Sequence, residues 1–176
     1  VMFDTDKPEV SKTMDVTGVD KLLGIDLRPG DNKLYGVSAD GTIVTIDAMG
    51  AATAGAKLST MLPEGVSASV DFNPMADKLR IMGSDGTNLR ADVTTGAVTV
   101  DGKLAFEAGD ANAEAAPNVV ATAYINSFGK PEKTAMYDIN ADGTFLQQTK
   151  PNDGTLKTIG ALGVDGGGTY ALDVQT

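Results

Sequence analysis

The chain carries an internal copy of itself. Ile25-Asp26-Leu27-Arg28-Pro29, followed by Lys33-Leu34 and Asp40-Gly41-Thr42, returns as Val70-Asp71-Phe72-Asn73-Pro74, Lys78-Leu79 and Asp85-Gly86-Thr87 at a constant spacing of 45 residues. One residue is then inserted, so that Gly50-Ala51 and Lys57-Leu58 answer to Gly96-Ala97 and Lys103-Leu104 at a spacing of 46. A β-rich unit of this length, punctuated by Asp-Gly turns, cannot bury its apolar face alone and must stack on a neighbour. The expected fold is all-β and β-propeller-like. Repeated four-stranded antiparallel blades would stand in a ring that is open or incomplete.

In the first unit (22–58) strands are expected at 22–27, 33–39, 42–47 and 51–58, and in the second (68–104) at 68–72, 78–83, 88–92 and 98–104. The Asp-Gly pairs suit two-residue hairpins in which both central positions need positive φ. Before them, 1–18 reads as a partial blade whose strands, 1–4 and 10–16, join across Lys7-Pro8-Glu9, with Phe3-Asp4 standing where Ile46-Asp47 does. After them, 105–118 is an Ala-rich connection long enough to be a functional loop, with a surface insertion the plainer reading. A degenerate unit fills 119–160, with strands at 119–125, 134–139, 144–148 and 156–159. A last strand at 170–174 opens a further blade (170–176). The closing strands are too few for a full ring, which is either open or continued beyond Thr176.

The net charge of −10 repels nucleic acid and anionic lipid surfaces, so neither is expected as a partner. No apolar run approaches a membrane span, and no signal peptide is visible ahead of Val1, which looks like mid-strand. The chain has neither histidine nor cysteine. A Ser/His/Asp triad, a thiol nucleophile and a Cys/His zinc site are thereby excluded. Gly163-Val164-Asp165-Gly166-Gly167-Gly168 precedes a strand instead of opening a helix, which weighs against a phosphate loop.

Several motifs together resemble a bacterial domain-of-unknown-function family numbered 4394. They are Val70-Asp71-Phe72-Asn73-Pro74 with Leu79-Arg80, Ser84-Asp85-Gly86-Thr87-Asn88-Leu89-Arg90, Gly109-Asp110-Ala111-Asn112, Pro151-Asn152-Asp153-Gly154-Thr155-Leu156 and Gly160-Ala161-Leu162-Gly163-Val164-Asp165. The resemblance implies an exported, propeller-type repeat protein with no assigned activity, whose members continue for about one more repeat.

Three residue sets could carry function. Asp138, Asn140 and Asp142 match the first half of an EF-hand loop, making calcium the one cofactor to weigh, although Thr149 stands where the bidentate glutamate belongs and a β-hairpin explains the same residues. Asp26, Asp71 and Asp173 share one register position on first strands, with Tyr124 taking that place in the third unit. Strand alternation turns them to one face, as an axial polar ring that either holds a cation or accepts backbone amides and arginines. Arg28, Asn73, Arg80, Asn88 and Arg90 are repeat-motif polar residues, expected to bond between blades.

The reading is a non-catalytic binding or structural module of an exported bacterial protein, secreted, periplasmic or cell-surface. It would bind a protein partner or another copy of itself through end strands or loop 105–118. The alternatives are a carboxylate-based enzyme, a lyase or glycoside hydrolase, and a calcium-binding module.

Overall fold

A computed structural model describes residues 1–164 and 169–175, and every element among them is a strand. β1 (Met2–Asp4) and β2 (Lys7–Lys12) form an antiparallel hairpin. The first four-stranded sheet runs β3 (Leu22–Arg28), β4 (Lys33–Ser38), β5 (Thr42–Ile46) and β6 (Ala52–Lys57), side by side in chain order. The second repeats it with β7 (Ala68–Asn73), β8 (Lys78–Gly83), β9 (Asn88–Ala91) and β10 (Val98–Val100). The third holds β12 (Val119–Tyr124), β13 (Met136–Asn140), β14 (Thr144–Lys150) and β15 (Thr155–Ala161), with β11 (Ala105–Phe106) parallel along the β15 edge.

The copied sequence folds alike in detail. Asp26 stands opposite Tyr35, and Asp71 opposite Arg80. The Asp-Gly turns coincide as well: the Gly41, Gly86 and Gly143 amides each donate 2.9 Å to the carbonyl three residues back. In these pairs only the glycine takes positive φ, which corrects the two-residue hairpin expected from the sequence. The aspartate contributes its carboxylate instead. Asp40, Asp85 and Asp142 accept the amides of Thr42, Thr87 and Thr144, so each turn is closed by a side chain and the glycine alone bears the left-handed backbone.

Each sheet lays one face on the next. Tyr35, Val37 and Ile43 share a buried cluster with Val70, Phe72, Leu79 and Ile81 of the second sheet. Met82 and Leu104 do the same with Phe106, Tyr124, Met136, Leu146 and Leu156 of the third. Each such side chain contributes about 1.5–3 kcal/mol on leaving water. Away from the first strands, one backbone bond recurs at every junction: Thr17 N to Gly50 O at 2.9 Å, Ser59 N to Gly96 O at 2.8 Å and Ala105 N to Gly154 O at 3.0 Å. The hairpin segment therefore seats on the first sheet as the first seats on the second and the second on the third.

Four sequence expectations change. The β1–β2 turn falls at Thr5-Asp6, where the Asp4 carboxylate accepts the Asp6 amide, and not at Lys7-Pro8-Glu9. Pro8 sits inside β2, which a strand paired on one side only tolerates. The second strand ends at Lys12 and not at residue 16. Loop 105–118 begins as β11, and Asp110 then accepts the Thr158 amide and hydroxyl while Asn112 donates to that hydroxyl, tying the segment to β15. Finally, 170–174 forms no strand, since no neighbouring strand completes a ladder with it among the described residues. Asp165 to Gly168 of the glycine-dense stretch, and Thr176, lie outside the described residues.

The junction contact makes a prediction. A Cβ on Gly96 would overlap the Lys57 carbonyl, whereas one on Gly65, also at positive φ, meets nothing within 4 Å. Denaturant unfolding should show Gly65→Ala costing about 1–2 kcal/mol, the left-handed penalty alone. Gly96→Ala should cost more than about 3 kcal/mol or abolish folding. Equal costs would mean that the junction is not a tight contact.

Candidate functional site: a carboxylate crevice along the first strands

Two first-strand aspartates do the same thing. Asp26 Oδ2 accepts the Phe72 amide of the next sheet at 2.7 Å, and Asp71 Oδ1 accepts the Tyr124 amide of the sheet after it at 2.9 Å. The residue opposite each aspartate reaches the same neighbour. Tyr35 meets the Phe72 ring edge-on at 5.4 Å, and Arg80 Nε donates to Tyr124 Oη at 3.2 Å. This pairing places Tyr124 in register with Leu27 and Phe72. The carboxylate position of the third unit therefore belongs to Ala123, one residue from where the sequence pattern put it.

Asp173 shares the local geometry of the series. Its Oδ1 accepts the Val174 amide at 2.7 Å, as Asp26 Oδ1 accepts that of Leu27 at 2.7 Å. Asp26, Asp71 and Asp173 line one crevice of about 480 Å³ with Phe3, Ile25 and Leu172. Burial pushes the Asp26 carboxyl up to about 6, with the Asp173 charge adding to it against the Phe72 and Leu27 amides. Burial first, then the Asp26 charge, pushes Asp71 up to about 9, which the Tyr124 amide only partly offsets. Two carboxyls in one crevice that raise each other do not both ionise cheaply, so the pair gives up its protons in separate steps, both above the ordinary carboxylate range.

The repeat-motif residues lie mostly at the sheet junctions. Arg28 forks onto Asp77 in the β7–β8 turn through Nε at 2.8 Å and Nη2 at 2.5 Å. Arg80, 1% exposed, also donates to Asn88 Oδ1, Asp101 Oδ2 and Asn152 Oδ1, and so bridges the second and third sheets. Arg90 pairs with the same Asp101, and Asn88 donates to the Gly102 and Pro151 carbonyls. Asn73 instead caps its own turn by accepting the Met75 and Ala76 amides. Asp77, Asp101 and Asn152 were not visible as partners in the sequence. Asp77 alone had a signal, standing at the repeat position of Asn32, and both take positive φ.

The EF-hand-like residues divide. Asp138 is fully buried on β13, accepting the Thr122 hydroxyl at 2.6 Å. Asn140 Oδ1 accepts the Asn118 amide, and Asp142 closes its hairpin turn. Asp138 thus points into the sheet interior while the other two serve loop ends. Among the described residues no group of three or more His, Cys, Asp or Glu side chains is placed to hold a metal ion. Asp138 Oδ2 and Gln148 Oε1 are buried acceptors without a partner, and burial pushes Asp138 up to about 6.

The sequence profile of the family described as "Domain of unknown function (DUF4394)" matches residues 1–176. The chain belongs to that family. No curated protein matches it. Among solved structures it is similar to an auxiliary nutrient binding protein from Bacteroides thetaiotaomicron, with TM-score 0.50 and 17% identity over 84% of this chain. It spans 39% of that protein's length. It is similar also to the computationally designed Ika4 protein, with TM-score 0.50 and 18% identity, covering 95% of this chain and 89% of that one. At such identities both likenesses concern the fold alone. No helix among the described residues of this DUF4394 chain is long and apolar enough to cross a membrane.

The raised carboxyls fix a pH dependence. In the unfolded chain an aspartate ionises near 3.8, so above that pH the folded state keeps protons on Asp26, Asp71 and Asp138 that the unfolded state has lost. Stability from these groups is present at low pH and is lost as pH rises through about 6 and then about 9. Asp40, held low by the Ser38 hydroxyl, and Asp92, held low by Lys78, act oppositely and lose their contribution in acid. Melting temperature should peak near about pH 4, where unfolded aspartates ionise, and fall by several degrees towards about pH 9. Asp71→Asn, whose amide oxygen can still accept the Tyr124 amide, should flatten the upper part of that fall. An unchanged slope in the variant would show that Asp71 is an ordinary ionised carboxylate.

Proposed function

We propose that this chain is a non-catalytic binding or structural module of an exported bacterial protein, secreted, periplasmic or cell-surface, that works through protein–protein contacts in a larger assembly. One observation carries the reading. The β1–β2 hairpin is exposed along its whole length, with Val1, Met2, Phe3 and Val10 presented to solvent, while Ile25 and Leu27 are 50% and 52% exposed. A two-stranded hairpin with apolar side chains and open edges is marginal by itself and gains stability from an added partner.

The same reading takes the sheets as a propeller-like ring. Its support is the recurrence of one junction: a carboxylate–amide bond at the first strands and a glycine-turn bond farther out. In such a ring the hairpin and 169–175 would form a fourth, composite sheet, with Asp173 in the place of Asp26 and Asp71.

A carboxylate-based hydrolase or lyase is the second reading, favoured by Asp26 and Asp71 sharing one crevice with unequal ionisation. Against it, the oxygens of this pair accept main-chain amides that hold the sheets together.

Cross-linking mass spectrometry on cells that make the protein tests the assembly reading. Lys7 and Lys12, at the two ends of exposed β2, should link to a second polypeptide. Links confined to the chain's own residues would overturn it.

A further inference from the structure

We propose that the cleft between the second and third sheets, under the loop 125–135, binds a neutral polyhydroxylated ligand, a segment of an uncharged oligosaccharide. The site lies wholly within residues 73–153 and goes beyond the assembly reading above without depending on it.

The cleft exists because the repeat departs from itself at one place. At the first junction Arg28, the last residue of β3, reaches the next sheet and forks onto Asp77 in the turn 74–77. At the second junction the place of Arg28 is taken by Asn73, 45 residues on. Its shorter side chain turns back to accept the Met75 and Ala76 amides instead of reaching an acid on the next sheet. The short turn 74–77 is answered in the third sheet by the long loop 125–135. Where the first junction has an ion pair, the second has a cavity of about 490 Å³ lined by Asn73 on one sheet and by Thr134 and Gln148 on the other. Small-molecule sites occupy about 300–1,000 Å³, so the space suffices.

The lining has unspent hydrogen-bonding capacity. Gln148 forms part of the wall and is 3% exposed, yet its Oε1 accepts no hydrogen bond. Its Nε2 faces Met82 Sδ at 3.8 Å, which leaves the carbonyl oxygen at the other end of the amide. Tyr124 Oη, also of the wall, accepts from Arg80 Nε at 3.2 Å and so keeps its own proton to give. Asn152 Oδ1 accepts from Arg80 Nη2 at 2.9 Å, and its Nδ2 remains to donate. The wall thus combines an acceptor in need of a donor with donors in need of an acceptor. A hydroxyl does both on one atom, whereas an amide N–H or a carboxylate does only one. A buried oxygen left unpaired is costly, and a ligand hydroxyl removes that cost.

Charge narrows the choice. The charged residues of the lining are Lys150 and Asp153, both exposed and opposite in sign, so the cleft favours neither an anion nor a cation. The loop above it is clamped at its ends: Asn126 Nδ2 donates to the Lys133 carbonyl at 2.9 Å, and Thr134 Oγ1 to the Ile125 carbonyl at 2.6 Å. That loop carries Phe128, 54% exposed. A ring held in solvent on the loop that walls the cleft offers the apolar surface on which the C–H face of a sugar packs.

The test follows the backbone amide NMR spectrum of the purified protein during titration with neutral hexasaccharides: cellohexaose, maltohexaose, xylohexaose and mannohexaose. At least one should give saturable shifts at about millimolar concentration, centred on the amides of 134–135 and 148–153. Its affinity should not change between about 0.05 M and about 0.5 M salt, as for an uncharged ligand. Gln148→Met keeps the volume and removes the amide. It should leave the melting temperature unchanged or higher and weaken binding at least about tenfold. Phe128→Ala, at an exposed position, should keep the melting temperature and weaken binding about threefold. No saturable shift with any of these sugars at about 10 mM overturns the proposal. So does tighter binding of hexagalacturonate, which would make the ligand an anion, and so does undiminished binding by both variants.

Discussion

A carboxylate that reaches out of its own sheet to take a main-chain amide of the next holds this structure in register. Asp26 on Phe72 and Asp71 on Tyr124 join first strand to first strand. A buried amide left without an acceptor would cost about 1–3 kcal/mol, and the first strands of stacked sheets, not hydrogen-bonded to each other, have no other acceptor to offer. The aspartate fills that need from one position of a copied unit. Burial of the acid is the cost, and it pushes both carboxyls above the ordinary carboxylate range. The apolar faces then close on either side, with Tyr35 on Phe72 and Arg80 on Tyr124.

The second junction element is the glycine turn. Gly50, Gly96 and Gly154 bring a backbone carbonyl within bonding distance of the preceding unit, which a side chain at that place would prevent. Carboxylate and glycine act at different strands of the same pair of sheets and hold them together. The arginine networks supplement this pattern and vary with the unit: Arg28 uses Asp77, while Arg80 uses Asp101, Asn88 and Asn152. A polar network can be rebuilt at each junction, whereas the backbone contacts recur.

Much of this was legible in the sequence because the copies are local. The spacing of Asp40-Gly41 and Asp85-Gly86 marked the turns, and Val70/Phe72 marked a face that is buried, whereas Ile25 and Leu27, expected to pack in the same way, are half exposed. The register of the third unit was not legible, since Ala123 lacks the carboxylate that marks the place and Tyr124 beside it is the more conspicuous residue. Nor was β11, whose two residues pair with an edge 50 residues away in sequence and leave no periodic trace. The 170–174 segment has the alternation of a strand, but alternation states only which face is apolar. Whether a ladder forms depends on a neighbour the pattern does not name. In the calcium-like loop the same limit applied: ligand spacing in sequence said nothing of Asp138 turning inward to Thr122.

The most direct measurement of the central claim is an NMR titration following the amide protons of Phe72 and Tyr124. If Asp26 and Asp71 hold these amides, both resonances will shift as the two carboxyls ionise. The main steps should lie near about 6 for Phe72 and near about 9 for Tyr124, well above the ordinary carboxylate range. Amide shifts that titrate near about 4, or that do not respond to pH, would contradict it.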